Sequence, residues 1–219
     1  MSSVKRAGPI RLIATLGIAG LLSGLILVVA YLATQPIILR NQAKALEAAI
    51  YRVVPGSTTR KEFVVRDGKL IAEETKPGAN QPDNVVYGAY DSSGKLLGYA
   101  IPGEGAGFQD TISLIYGYDP HDKKIIGLEI LESRETPGLG DKIEKSEAFI
   151  SQFDGVEAPL KGVKAREGTG DPHEVDMITG ATISSRTVIR IINDALERMG
   201  PMLKAYETAP ATAAGEAGQ

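Results

Sequence analysis

Ten residues concentrate the chemistry this chain could offer. DMITGATISS, residues 176–185, sets four hydroxyl side chains around one Gly-Ala pair, just before a run with helical apolar spacing. Gly180 permits backbone conformations closed to other residues, and Ala181 is small. Thr182, Ser184 and Ser185 are each suited to cap the helix that follows. The free N–H groups at a helix start also form an anion site that suits a phosphate. Two readings stand open on these residues alone: a cap after a tight turn, and a phosphate-type attachment point. A second glycine-rich stretch, ETPGLG at 135–140, falls in a loop between a strand pattern and a helical one. By itself it is ordinary turn chemistry.

Composition narrows the chemistry. The 219 residues include no cysteine, which excludes disulfides, iron–sulfur clusters and cysteine zinc sites. His121 and His173 are the only histidines, too few for a multi-histidine metal or haem site. Any redox role would therefore use an organic cofactor. His121 sits in DPHD, which reads as a turn, and His173 as a solvated loop residue. The formal net charge of -3 comes without a basic stripe, so no nucleic-acid partner is expected.

Several elements must position the hydroxyl turn. Residues 12–33 carry no charge and are long enough to cross a bilayer as a helix. Lys5, Arg6 and Arg11 precede them, placing residues 1–11 in the cytoplasm and the rest outside it. A cleaved signal peptide is the alternative, but the apolar run is longer than a signal core needs. Residues 34–55 read as a linker helix, with apolar positions at Ile38, Ala45, Leu46, Ala49, Ile50 and Val53, closed by Pro55 and Gly56. The folded domain is expected over 56–206, and 207–219 is a low-complexity, disordered tail.

Within that domain, one short strand is expected on each side of Asp67–Gly68. NVVYGAYD, KLLGYAIPG, DTISLIYGYD and KKIIGLEILES then follow as four strands with short turns, an antiparallel meander. Ile112, Leu114, Tyr116 and Tyr118 share one face. KIEKSEAFISQFDG reads as a helix and VDMITGAT as a last short strand. A helix from about Ser184 turns Val188, Ile191, Ile192, Ala195, Leu196 and Met199 inward, and Pro201 kinks or ends it. The fold class is α+β: a single N-terminal transmembrane helix, then an antiparallel-sheet domain with flanking helices.

Three stretches together carry a resemblance. DMITGAT resembles the flavinylation motif of the FMN-binding domain family: Asp, two variable residues, Ser or Thr, then Gly-Ala-Thr. ETPGLG resembles that family's loop beside the isoalloxazine. GAGFQDTISLIYGYD resembles its glycine-rich turn and following strand, with Gly-Phe at 107–108 where the family has Gly-Tyr. All three occur in family order behind one membrane helix. Within the family, the chain is most similar to the G subunits of ion-translocating ferredoxin:NAD oxidoreductase (Rnf) complexes.

The resemblance implies one FMN, esterified through its phosphate to Thr182. Asp176, Thr179, Gly180 and Ala181 would be the rest of the attachment motif. Glu135, Thr136, Gly138 and Leu139 would lie against the ring, with Thr136 bonding its edge and Leu139 covering its face. No metal and no independent substrate site are implied. The partners would be the other Rnf subunits, including a second FMN-carrying membrane subunit, and an ApbE-like flavin transferase for maturation. The implied role is electron transfer in an ion-translocating oxidoreductase of the cell inner membrane. Three alternatives stay open: the C subunit of the sodium-translocating NADH:quinone reductase, a stand-alone membrane-anchored flavoprotein reductase, and a non-catalytic membrane-tethered scaffold.

Overall fold

The computed structural model describes residues 8–66, 68–72 and 85–208. Lys5, Arg6, Asp67 and the tail beyond 208 lie outside the described residues. Two compact units are distinguished, residues 1–44 and residues 45–219.

The first helix, α1, spans Pro9–Val53 and includes Pro36. It contains an 18-residue window of mean hydropathy 2.5. Its large apolar side chains from Ile10 to Leu39 are exposed, a pattern that suits lipid and not water. Within the second unit, the last turns of α1 bury Ala49, Ile50 and Val53.

The second unit is built on a six-stranded antiparallel sheet in the order β2-β1-β3-β4-β5-β6. The strands are β1 (Thr59–Arg66), β2 (Lys69–Ala72), β3 (Val85–Tyr90), β4 (Leu96–Ala106), β5 (Thr111–Asp119) and β6 (Lys124–Ser133). From β3 to β6 each strand pairs with the next, so the meander runs as its short turns require. The alternation of β5 is kept: Ile112, Leu114, Tyr116 and Tyr118 all enter the main core, whereas Ile115 points to the other face.

Both faces of the sheet are covered. On one lies α4 (Thr182–Thr208), whose Val188, Ile191, Ile192, Ala195 and Met199 are buried there, with Leu196 half-buried beside them. On the other, Ala49, Ile50, Val53 and Val54 meet Val85, Tyr87, Ala89, Ala100 and Ile115. Central strands buried on both sides read as near-continuous apolar runs, as VVYGAY does. The second cover approaches closely because Gly117 and Gly127, paired across β5 and β6, leave room for the backbone of Val53.

Three local expectations are corrected. KIEKSEAFISQF is not one helix: α2 (Lys142–Lys145) and α3 (Glu147–Ile150) are separated at Ser146, which is extended, and a 3-10 turn follows at Ser151–Phe153. Its apolar residues Ile143, Phe149 and Phe153 still reach the core. The last strand, β8 (Glu174–Met177), ends at Met177 and not at Thr182, and it pairs in parallel with β7 (Lys161–Lys164). Of the two alternatives for Pro201, the ending is removed, since Pro201 lies inside α4. Gly200 before it has no Cβ to clash with the proline ring. Buried Leu203, and Tyr206 edge-on to Phe63 at 5.1 Å, hold the last turns in place.

Candidate functional site

Strand β8 delivers the chain to the start of α4 through a tight turn. The Ala181 N–H donates to the Ile178 carbonyl at 3.0 Å, and Gly180 supplies φ +85°. That is the left-handed region in which glycine carries no Cβ penalty. The Ala181 carbonyl accepts the first helical bond, from the Ser185 N–H at 2.9 Å. Ala181 is therefore the cap position, and it has no side-chain oxygen to cap with. The first-turn N–H groups, Thr182 among them, have no partner within the helix.

The expected caps do other things. Ser185, fully buried, donates from Oγ to the Ala181 carbonyl at 2.9 Å and accepts from the Ile178 N–H at 3.2 Å. It pins the turn from inside. Ser184 is buried and donates its hydroxyl to Glu135. Thr182 is half-buried as the first helical residue, its Oγ1 3.5 Å from the Ile178 carbonyl, the outer limit of a hydrogen bond. Of the three hydroxyls after Gly180, Thr182 is the one held least.

Glu135 ties a second loop to this turn. It is 5% exposed. Its Oε1 accepts from the N–H groups of Phe108 and Gln109 at 3.0 Å each and of Asp110 at 3.4 Å. Its Oε2 accepts from Ser184. Burial pushes the carboxyl's pKa up, but hydrogen bonds from Ser184 and the three N–H groups outweigh it and hold it below the ordinary range. Two glycines make room: a Cβ on Gly107 would stand 2.4 Å from Oε1, and one on Gly140 2.6 Å from Oε2.

The remaining loop residues follow from that anchor. Thr136 donates to the Gln109 side chain at 2.7 Å, so in this structure its hydroxyl serves the neighbouring loop. Gly138 has φ +78° with nothing within 4 Å of where a Cβ would be. The Leu139 side chain comes within 3.8 Å of the corresponding position at Gly180. Thr179 and Gly180 are exposed. Asp176 is half-buried on β8, its backbone clasped by Gln152, whose Oε1 accepts at 2.7 Å and whose Nε2 donates at 3.3 Å.

Three loops, 107–110, 135–140 and 178–182, thus converge. Phe108 and Leu139 on two of them and Ile183 in the first turn of α4 are exposed, at 66%, 51% and 50%. Exposed apolar side chains on loops that meet beside free helix-start N–H groups and an available hydroxyl fit a ligand with a flat apolar part and an anionic part. The residues therefore fit FMN. His173 is engaged elsewhere, its Nδ1 3.0 Å from the Glu157 carbonyl. No cluster of metal-ligating side chains occurs among the described residues. The pairing of Ser184 with Glu135 carries no local sequence signal, because 49 residues separate them. Gln109 was not signalled either. Phe108 was signalled only by the glycine-rich turn that contains it.

Residues 107–197 match the family described as FMN-binding domain. The chain is 28% identical over 187 residues to the G subunit of the ion-translocating oxidoreductase complex of Methanosarcina acetivorans, covering 85% of this chain and 92% of that one. It is 30% identical over 149 residues to the G subunit of the Na(+)-translocating ferredoxin:NAD(+) oxidoreductase complex of Acetobacterium woodii, covering 66% and 69%. The crystal structure of Shewanella oneidensis NqrC superposes with a TM-score of 0.64 at 20% identity, covering 76% of this chain and 99% of that one. That likeness is one of fold.

Proposed function

This chain belongs to the family of ion-translocating oxidoreductase complex G subunits, and on that premise we propose that it is the covalent-FMN electron-transfer subunit of a membrane-bound Rnf complex. The attachment residue is Thr182. A flavin transferase would break the anhydride of FAD, join the FMN phosphorus to Thr182 Oγ1, and release AMP with the hydroxyl proton. The observation that carries this reading is the position of Thr182. It is the first residue of α4, with its hydroxyl loosely held, next to the exposed Ile183 and close to the Gly180 turn that Leu139 approaches.

When bound, the flavin supplies one- and two-electron redox chemistry. The chain's own residues anchor, orient and cover it. The first-turn N–H groups of α4 would hold the phosphate, where the helix dipole favours negative charge. Leu139 and Phe108 offer apolar contact to the ring. Gly138 holds the turn that aims Leu139. Asp176 belongs to the recognition motif for the transferase, and Thr179 supports the geometry of the turn without carrying the bond. The other membrane subunits, including a second FMN carrier, are the electron partners. Residues 12–33 cross the membrane once, with Arg11 inside and the domain outside the cytoplasm.

The test is denaturing electrophoresis of the full chain co-expressed with a flavin transferase. A fluorescent band is expected from the wild type and none from Thr182→Ala. A fluorescent Thr182→Ala band would move the attachment elsewhere.

A further inference from the structure

Glu135 was expected against the flavin ring, yet its carboxylate is spent inside the protein. Both oxygens are engaged: one by three successive N–H groups of the 108–110 turn, the other by the Ser184 hydroxyl in the first turn of α4. Three successive N–H groups converging on one oxygen form the kind of nest that binds an external phosphate. Here an internal carboxylate fills it. Gly107 and Gly140 are built around that carboxylate, since a Cβ at either would collide with it.

We propose that Glu135 is a positioning residue: its buried carboxylate clasps the 108–110 turn to the first turn of α4 and so sets where Phe108 stands relative to Thr182. The inference rests on the flavin reading above and deepens it. Phe108 moves with the turn that Oε1 holds, and Thr182 is two residues from Ser184, which Oε2 holds. Without the clasp, the apolar surface and the attachment hydroxyl lose their fixed relation. The carboxylate also places a permanent negative charge in the wall of the flavin site, which disfavours the anionic reduced flavin.

Charge and geometry separate in two substitutions. Glu135→Gln keeps an oxygen for the three N–H donors and removes the charge. Glu135→Ala removes both, leaving three N–H groups and a hydroxyl without their acceptor. The experiment uses the full chain co-expressed with a flavin transferase and purified in detergent. Covalent flavin per chain, the flavin midpoint potential and the melting temperature are measured for wild type, Glu135→Gln, Glu135→Ala and Ser184→Ala.

Glu135→Ala is expected to lose about tenfold or more of its covalent flavin, the scale of a lost charge-assisted hydrogen bond. Glu135→Gln is expected to recover most of that flavin with a more positive potential. Ser184→Ala should fall between wild type and Glu135→Ala in flavin content. A merely structural role would lower melting temperatures and leave the potential of Glu135→Gln at the wild-type value, and that result overturns the proposal. If Glu135→Ala does not fold, Glu135→Gln and Ser184→Ala decide: wild-type flavin content and potential in both overturn it. A wild-type chain without covalent flavin would instead overturn the functional reading beneath it.

Discussion

The end of α1 is locked to the outer face of the sheet, and Gly117 is where that lock can be tested. A Cβ added to Gly117 would lie 2.1 Å from the Val53 carbonyl oxygen, 2.9 Å from its carbon and 3.1 Å from Ile126 Cβ. The oxygen is backbone at the end of a helix, so no rotamer change relieves the contact. Gly117→Ala therefore has two outcomes. The helix end shifts with overpacking strain of about 1–3 kcal/mol. Alternatively it detaches and exposes Ile50, Val53 and Val54, at about 1.5–3 kcal/mol each. The smaller cost wins, which sets the expected loss at about 1–3 kcal/mol. For a domain of this size that lowers the melting temperature by roughly 2–12 °C. Gly127→Ala is the control, since its Cβ would sit 3.2 Å from the same oxygen and needs only a small adjustment. Thermal melting of the detergent-solubilised chain, followed by near-UV circular dichroism, measures both. A Gly117→Ala melt within about 1 °C of wild type would refute this packing.

Other expectations follow from the site. Because the folded pKa of Glu135 is depressed, its stabilising contribution is full above the ordinary carboxylate range and is lost as pH falls through the lower folded value. Wild type should therefore lose melting temperature on acidification below about pH 4 more steeply than Glu135→Gln, and parallel curves would contradict the clasp. Thr182→Ser should retain part of the flavin because the hydroxyl remains, whereas Thr179→Ala should keep the covalent bond; in-gel fluorescence reads both. Leu139→Asp should fold, because that side chain is half exposed. Its charge should lower the flavin potential by a few tens of millivolts, from ~1 kcal/mol of repulsion at an exposed site, and an unchanged titration would remove Leu139 from the ring. A reporter fused after Gln219 should be active only outside the cytoplasm, and cytoplasmic activity would invert the topology.

Much of the scaffold was legible because local patterns agreed with the tertiary structure. The alternation of Ile112, Leu114, Tyr116 and Tyr118 and the short turns around DSSG and PHD fixed a meander that the structure keeps. The inward face of α4 was legible for the same reason. What stayed hidden depended on distant partners. Strand β7 is four residues, KGVK, with no fully buried side chain, and exists by pairing with β8. The break at Ser146 interrupts a run with sound helical spacing. Pro201 stays helical because packing near Phe63 overrides a local signal. At the site, motif residues could be named, but not what each would touch. Glu135 turned inward to Ser184, and Thr136 turned to Gln109. No spacing rule links residues 49 positions apart.

The most direct measurement is mass spectrometry of the protease-digested wild-type chain, purified after co-expression with a flavin transferase. One peptide containing Thr182 is expected to carry the mass of one FMN less one water, with fragmentation placing it on that threonine. An unmodified Thr182 peptide, or FMN located on Thr179, Ser184 or Ser185, would contradict it.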